Sequence, residues 1–404
     1  MAATKPVALA LEIALEVTTR VDVGGLEVIE RFAKPWQILC RETQCAPFHR
    51  PEWIVAHLRV FEPNAEVVLL TASAGKRLLA VLPLVRKRCW DTGIPVTKLT
   101  AAANVHSVRF DILRSPCAAG ESSIPALWGE LKRLSGWHVL ELPFFPQDGV
   151  CASLLALAAG DGYHTRSAMM EESPILRMCP EANGKLTWLG GTSRHFRHEL
   201  RRYARVLEEQ GGAKPIFTRW TRPDPALWQQ FLELEAAGWK GRKGSAINCE
   251  APTRSFYSEI ARLGADGGYF CLHTLQVNGV LAAGAFSVMT PGCFYPMKIA
   301  FNEALRRGGP GHLLFNSILE ECAGQGIPQL FFGGDKDHYK DLWTQETLPH
   351  FIGHIFASDL RSQLAYHSKT KVLPRLGKLR RSFKERLRWN KLEKTAPAAK
   401  PSAS

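Results

Sequence analysis

Apolar positions along the chain follow two rhythms, one helical and one strand-like, and they alternate in the same order twice. From Trp36, Ile38 and Leu39 a helical spacing begins and runs on through Pro51-Glu-Trp-Ile-Val-Ala-His-Leu58. Two continuous apolar runs follow, Val67–Ala72 and Leu78–Val85, with Gly75 between them, the signature of a hairpin. Val108–Leu113 reads as a further strand. Ile124–Leu134 reads as a helix stopped by Gly136, His138–Phe145 as a buried strand, Cys151–Ala159 as a short helix, and a last strand runs to Met178.

The second half repeats this order. Leu227, Trp228, Phe231 and Leu234 share a face of a helix over Pro225–Ala237, and a second helix covers Arg254–Leu263. Tyr269–Gln276 and Val280–Met289 flank Asn278-Gly279, a type I′ hairpin signal. Cys293–Phe301 is a third strand, interrupted by Pro296, which places it at an edge or on a bulge. A helix from Gly311 to Ala323, a strand Pro328–Phe332, a short helix Lys336–Trp343 and a strand His350–Ala357 complete the unit. The order repeats without residue-level identity, so the expected fold class is α/β, two tandem units of mixed β-sheet flanked by helices. Between them, Phe196, Leu200, Tyr203 and Leu207 form the apolar face of a helix whose remaining surface carries Arg194, Arg197, Arg201, Arg202 and Arg205, with Ser193 or Thr192 as its cap.

Composition narrows the class. Of the 404 residues 46% are hydrophobic and 22% charged, which excludes a wholly disordered chain. The net charge of +13 points to an acidic partner, but its distribution changes that picture. The segment Lys369–Lys394 holds 11 Lys and Arg against two Glu, a net of +9. The basic excess is thus a tail, with Leu376, Leu379, Phe383 and Leu387 on one helical face, and no broad nucleic-acid-binding surface is expected. No apolar run reaches membrane-spanning length. The ten cysteines form no CxxC and read as reduced thiols of a cytoplasmic protein, peripheral to the inner membrane if the tail rests on anionic lipid. The histidines show no metal-ligand spacing, so no metal is expected.

The candidate chemistry lies in the second half. Arg306-Arg-Gly-Gly-Pro-Gly311 fits R-x-x-G-x-G between a strand and a helix. Glycines there let backbone N–H groups approach phosphate oxygens, the helix start adds its positive end, and Arg306 or Arg307 adds charge. Gly308, Gly309, Gly311 and His312, the last expected to be neutral at a helix N-terminus, complete this loop. Gly333-Gly334-Asp335 follows an apolar strand, with Tyr339 and Lys340 one turn on. Proton-transfer chemistry at a cleft needs a base and an acid within reach of the reacting group. Asp335 or Glu235 is a candidate base, and Tyr339 or Tyr295 a candidate acid. Trp239 and Lys240 are candidates for lining an acceptor cleft, and Arg197 and Arg201 for holding an anionic substrate.

The strand order and the glycine loop are similar to the GNAT acyltransferase fold. Three further segments, Thr192–Leu207, Glu235–Gly244 and Phe332–Lys340 followed by Trp343, make the chain resemble the CelD-type (cellulose-biosynthesis-associated) acetyltransferases. Those are tandem GNAT-like proteins distantly related to Fem-type aminoacyl transferases. The resemblance covers about residues 25–360 and is best over 186–345. It implies a leader over 1–24, a degenerate GNAT-like domain over 25–182, a GNAT domain over 183–368 and a tail over 369–404. It implies acetyl-CoA as co-substrate, bound also by the backbone around Lys298 and Ile299, where GNAT folds bulge and splay. It implies a small-molecule or saccharide acceptor. A Fem-type transferase using aminoacyl-tRNA, and a non-catalytic accessory protein at a membrane surface, stand as alternatives.

Overall fold

The computed structural model describes residues 16–91, 93–181, 184–188 and 192–372. The first half runs β1 (Val17–Gly24), α1 (Glu27–Thr43), α2 (Pro51–Phe61), β2 (Glu66–Ala74), β3 (Arg77–Asp91), β4 (Ile94–Ala101), β5 (Leu113–Arg114), α3 (Ala118–Arg133), β6 (Val139–Pro146), α4 (Val150–Gly160) and β7 (His164–Arg177). A small ribbon, β8 (Cys179–Pro180) with β9 (Leu186–Thr187), leads into α5 (Arg194–Gly211). The second half runs β10 (Ile216–Trp220), α6 (Pro225–Ala237), α7 (Trp239–Arg242), α8 (Ala251–Asp266), β11 (Phe270–Val277), β12 (Val280–Thr290), β13 (Cys293–Phe301), α9 (Pro310–Gly324), β14 (Gln329–Phe331), α10 (His338–Asp341), β15 (Thr347–Phe356) and α11 (Leu360–His367).

The repeat is fuller than its sequence pattern. Each half opens with an additional strand, β1 or β10, paired antiparallel to the first strand of its meander. Residues 17–24, expected in a leader, are therefore part of the sheet; their alternating Val, Thr and Arg positions suit an edge strand with one face in water. Residues 1–15 and the 182/183 boundary lie outside the described residues. Turn chemistry holds where it is strongest. Asn278 and Gly279 both have positive φ, 49° and 74°, as a type I′ turn requires. Ser193 caps α5 by accepting the Phe196 N–H at 3.0 Å.

Val108–Leu113 departs from expectation. Only Leu113–Arg114 form a strand. Asp111 instead turns its carboxylate to the first N–H groups of α4, Val150 at 2.9 Å and Cys151 at 2.8 Å, and that cap holds the segment in an irregular path.

All long strands join one sheet in the order β1-β2-β3-β4-β6-β15-β7-β14-β13-β12-β11-β10. The last strand of each half thus crosses toward the other. β15 lies between β6 and β7, and β7 lies between β15 and β14. An apolar cluster spans the seam, with Phe48 and Trp53 of the first half against Tyr295 and Phe256 of the second at ring separations of 5.1 and 5.5 Å. Each such buried aromatic contributes about 1.5–3 kcal/mol from area alone. The ten cysteines are free thiols; Cys40, Cys151, Cys271, Cys293 and Cys322 are buried, whereas Cys179 and Cys249 are exposed.

Lys369, the first residue assigned to the tail by its charge, belongs to the folded body. Its ammonium lies 3.1 Å from Asp91 and 2.9 Å from His354 Nε2, beside a Lys98–Glu141 pair at 2.9 Å. The tail from 373 on lies outside the described residues. Asp91 is 7% exposed and keeps Lys98 at 3.2 Å if Lys369 is lost. Lys369→Met should therefore cost about 1–2 kcal/mol in urea unfolding, below the ~3–5 kcal/mol of a buried charge left alone.

Candidate active site

The site begins with a missing strand contact. β13 and β14 run parallel and meet at one residue pair, Phe294 with Leu330. β14 is held from its other side by β7, through Gln329–Arg177, Leu330–Leu176 and Phe331–Ile175. Beyond Phe294, β13 also bulges. Ser287 of β12 faces Pro296 and Phe286 faces Lys298, so Met297 is the extra residue. Pro296 cannot donate to a ladder, and the bulge sits where it does least harm. In the first half, by contrast, β4 pairs with β6 over Lys98–Thr100, close to the end of β4. The splay in the second half opens a cavity of about 810 Å³.

Loop and helix form one wall. A short 3₁₀ helix over Glu303–Gly308 carries the arginines, Gly309 at φ +52° starts α9, and Pro310 takes the first helical position. Arg306, Gly309, Gly311 and His312 line the cavity. Arg307 is exposed away from it, and Gly308 is buried under α5. A Cβ on Gly309 would lie 2.6 Å from the Tyr203 ring, and one on Gly308 would lie 2.8 Å from the Leu207 Cα. These two glycines are thus required by the close seating of α5 as well as by any ligand. A Cβ on Gly311 would meet only Phe301, at an ordinary 3.5 Å.

His312 stacks between two tyrosines, at 6.0 Å from Tyr203 and 4.8 Å from Tyr339. Burial, and then the neighbouring His338, lower its pKa to about 4. It is neutral, as expected, although burial and not the helix dipole is the main cause. Tyr339 lines the cavity with its hydroxyl 3.4 Å from the Gly311 carbonyl. Burial raises its pKa, so the phenol keeps its proton. The Lys340 ammonium donates to the Gly333 and Asp335 carbonyls at 2.8 Å each, pinning two successive glycines of positive φ. The Asp335 carboxylate is exposed and does not line the cavity.

The opposite wall comes from α6 and α7. Glu235, 1% exposed, receives the Ile247 N–H at 2.8 Å and the Lys240 ammonium at 3.2 Å. Lys240 also donates to the Ile299 carbonyl on the open edge of β13, at 2.8 Å. Its pKa is lowered by burial, with Glu235 opposing. Trp239, 47% exposed, stands at the mouth, with its N–H held by Glu303 at 3.0 Å. The cavity therefore gathers Glu235, Trp239, Lys240, Ile299, Tyr339 and Lys340 with the loop.

Other candidates face elsewhere. Lys298 points to the Tyr257 ring, 5.3 Å away, because its neighbour Ile299 takes the cavity side. Tyr295 is buried between Phe48 and Phe331 in the seam core. Arg197 and Arg201 lie on α5 outside the cavity lining. Several lining residues escaped the sequence reading, among them Tyr203, read only as apolar face, Glu303, which carried no motif, and Val108, which reaches in from the first half. No local pattern announces a contact made across 200 residues.

A splayed strand pair, a glycine loop at a helix start and a tyrosine between them have the layout of an acyltransferase site, and a family match within the chain supports that class. Residues 194–341 match the acetyltransferase (GNAT) domain family. No curated protein matches the chain. Among solved structures, FemX is similar with a TM-score of 0.54 at 10% identity, over 86% of this chain and 100% of that one. The C-terminal domain of a putative lysylphosphatidylglycerol synthetase from Agrobacterium fabrum is similar with a TM-score of 0.50 at 12% identity, over 85% and 96%. At such identities the likeness is one of fold.

The two kinds of glycine separate experimentally. Gly309→Ala should lower stability by about 1–3 kcal/mol in chemical denaturation, through positive φ and the Tyr203 clash. Gly311→Ala should change it by less than about 0.5–1 kcal/mol, the ordinary helix-start range. Adding Tyr203→Ala to Gly309→Ala should recover part of the loss, a coupling absent for Gly311.

Proposed function

We propose that this cavity binds an acyl-CoA, most simply acetyl-CoA, and passes the acyl group to an amine or hydroxyl. The carrying observation is the continuous path from the β13 bulge along an unpaired strand edge to the glycine loop at the start of α9. Phosphates suit the loop, where the start of α9 and Arg306 line the same end of the cavity. An extended arm with two amides suits a strand edge that lacks a neighbour. Lys240 already occupies the Ile299 carbonyl, so a ligand would use the remaining edge groups. Tyr339, kept protonated by burial, is the group suited to supply a proton to a leaving thiolate.

The acceptor approaches between Trp239 and the Gly333–Gly334 rim. A saccharide acceptor and the CelD-type assignment rest on the sequence resemblance, and the exposed Trp239 ring offers a face on which a sugar could pack. The division at 182/183, with the first half as scaffold, is part of this reading. Anionic-lipid contact by the tail rests on its sequence alone, and no helix among the described residues is long and apolar enough to cross a membrane.

One observation favours a second donor. The arginine-bearing α5 sits directly on the glycine loop, and an aminoacyl-tRNA could use that basic surface. Calorimetry separates the two. Acetyl-CoA should bind saturably at one site, and Gly311→Glu should abolish binding without lowering the melting temperature. No heat with acetyl-CoA, but saturable binding of aminoacyl-tRNA, would replace the first reading by the second.

A further inference from the structure

Direct transfer needs a base on the acceptor side, and five carboxylates stand on or beside the cavity. Glu303 is paired with Arg242 at 2.8 Å, and Asp337 caps α10 by accepting the Lys340 N–H at 2.9 Å. Glu235 is enclosed and spent on Ile247 and Lys240. Asp335 is exposed to water, with only its backbone carbonyl held, by Lys340. The last is Glu171, on β7, contributed by the first half of the chain.

Glu171 is half-buried behind the Gly333–Gly334 rim, since β7 runs alongside that segment, the Phe332 N–H donating to the Pro174 carbonyl at 3.0 Å. The fully buried Ser173 hydroxyl donates to its Oε1 at 2.9 Å. Among the described residues it has no ion-pair partner. The nearby Lys340 ammonium is committed to the Gly333 and Asp335 carbonyls. Across the ladder from Glu171, on the same face, stands His350, fully buried with both ring nitrogens unpartnered. Burial and then Arg109 lower the His350 pKa to about 4, so it brings no positive charge. Burial raises the Glu171 carboxyl above the ordinary range; Asp335 adds to this, while Ser173, Lys340 and Gly334 oppose it. A carboxylate behind a cavity rim, oriented by a hydroxyl but not neutralised by a cation, is fit to take up a proton.

Building on the acyl-CoA reading, we propose that Glu171 is the proton acceptor for the attacking group. An ammonium acceptor gives one proton to the Glu171 carboxylate. The freed nitrogen lone pair attacks the thioester carbonyl carbon, the C–N bond forms, and the C–S bond breaks. The leaving thiolate receives the second nitrogen proton, relayed through the Tyr339 hydroxyl. Ser173 is a positioning residue. The exchange of β7 into the second half's sheet then has a chemical role, since it carries the base to the cavity.

The test measures thiol release from acetyl-CoA with glucosamine, spermidine and hydroxylamine, and with water alone, from pH 5 to 10. Acetyl-CoA affinity is followed by calorimetry in parallel. Glu171→Gln should lower turnover at pH 7 by about 100-fold or more. Its affinity for acetyl-CoA should stay within about twofold, and its rate should climb back at high pH, where the amine is already free. Ser173→Ala removes a bond to the charged carboxylate, so its acidic limb should move to higher pH. Equal rates in wild type and Glu171→Gln, for the amines or for hydrolysis by water, would overturn the proposal while leaving acetyl-CoA binding intact. An equal loss at every pH, or an unmoved limb in Ser173→Ala, would overturn it as well. No acetyl-CoA binding by the wild type would instead remove the donor reading, and this step with it.

Discussion

The cavity exists because β14 is held by β7 and barely by β13. One pair joins β13 to β14, three join β14 to β7, and the bulge at Met297 turns β13 away from its neighbour. A strand left without a partner in the middle of a sheet would ordinarily be filled by side chains or by another strand. Here the gap ends on a helix start with positive-φ glycine, so an extended ligand with an anionic end is what its geometry accommodates. Lys240, Tyr339 and His312 have their roles only because that gap is there.

The same strand exchange makes the two halves one body. β7 and β15 each lie in the neighbour's territory, and the seam between them is packed by Phe48, Trp53, Phe256 and Tyr295. Neither half can bury its central strands alone. The half without the glycine loop still contributes Val108 to the cavity and places Glu171 behind its Gly333–Gly334 rim. Calling it a scaffold describes its lack of a splay, not its distance from the chemistry.

Much of this was legible in order and turns. Asn278-Gly279, Gly75, the Ser193 cap and the glycine loop each act through backbone conformation over a few residues, so local sequence suffices. Pro296 announced the bulge for the same reason. Contacts between distant segments left no such mark. β1 and β10 do not stand out, since β1 mixes Val with Thr, Arg and Asp and β10 spans only five residues, each at an edge of the sheet. Tyr295 and Ile299 look alike as strand residues; which faces core and which faces cavity depends on the bulge between them. Gly308 and Gly309 were assigned to phosphate approach, whereas the seating of Leu207 and Tyr203 also demands them. Asp335 had the right sequence context, but the Lys340 bonds hold the loop by its carbonyls and leave that carboxylate outside.

The most direct measurement of the central claim is hydrogen–deuterium exchange with and without acetyl-CoA. If the open edge of β13 and the start of α9 hold the donor, protection should rise across 294–313 and stay unchanged in β10, at the far edge of the sheet. Unchanged exchange over 294–313 at saturating acetyl-CoA, or protection confined to α5, would contradict it.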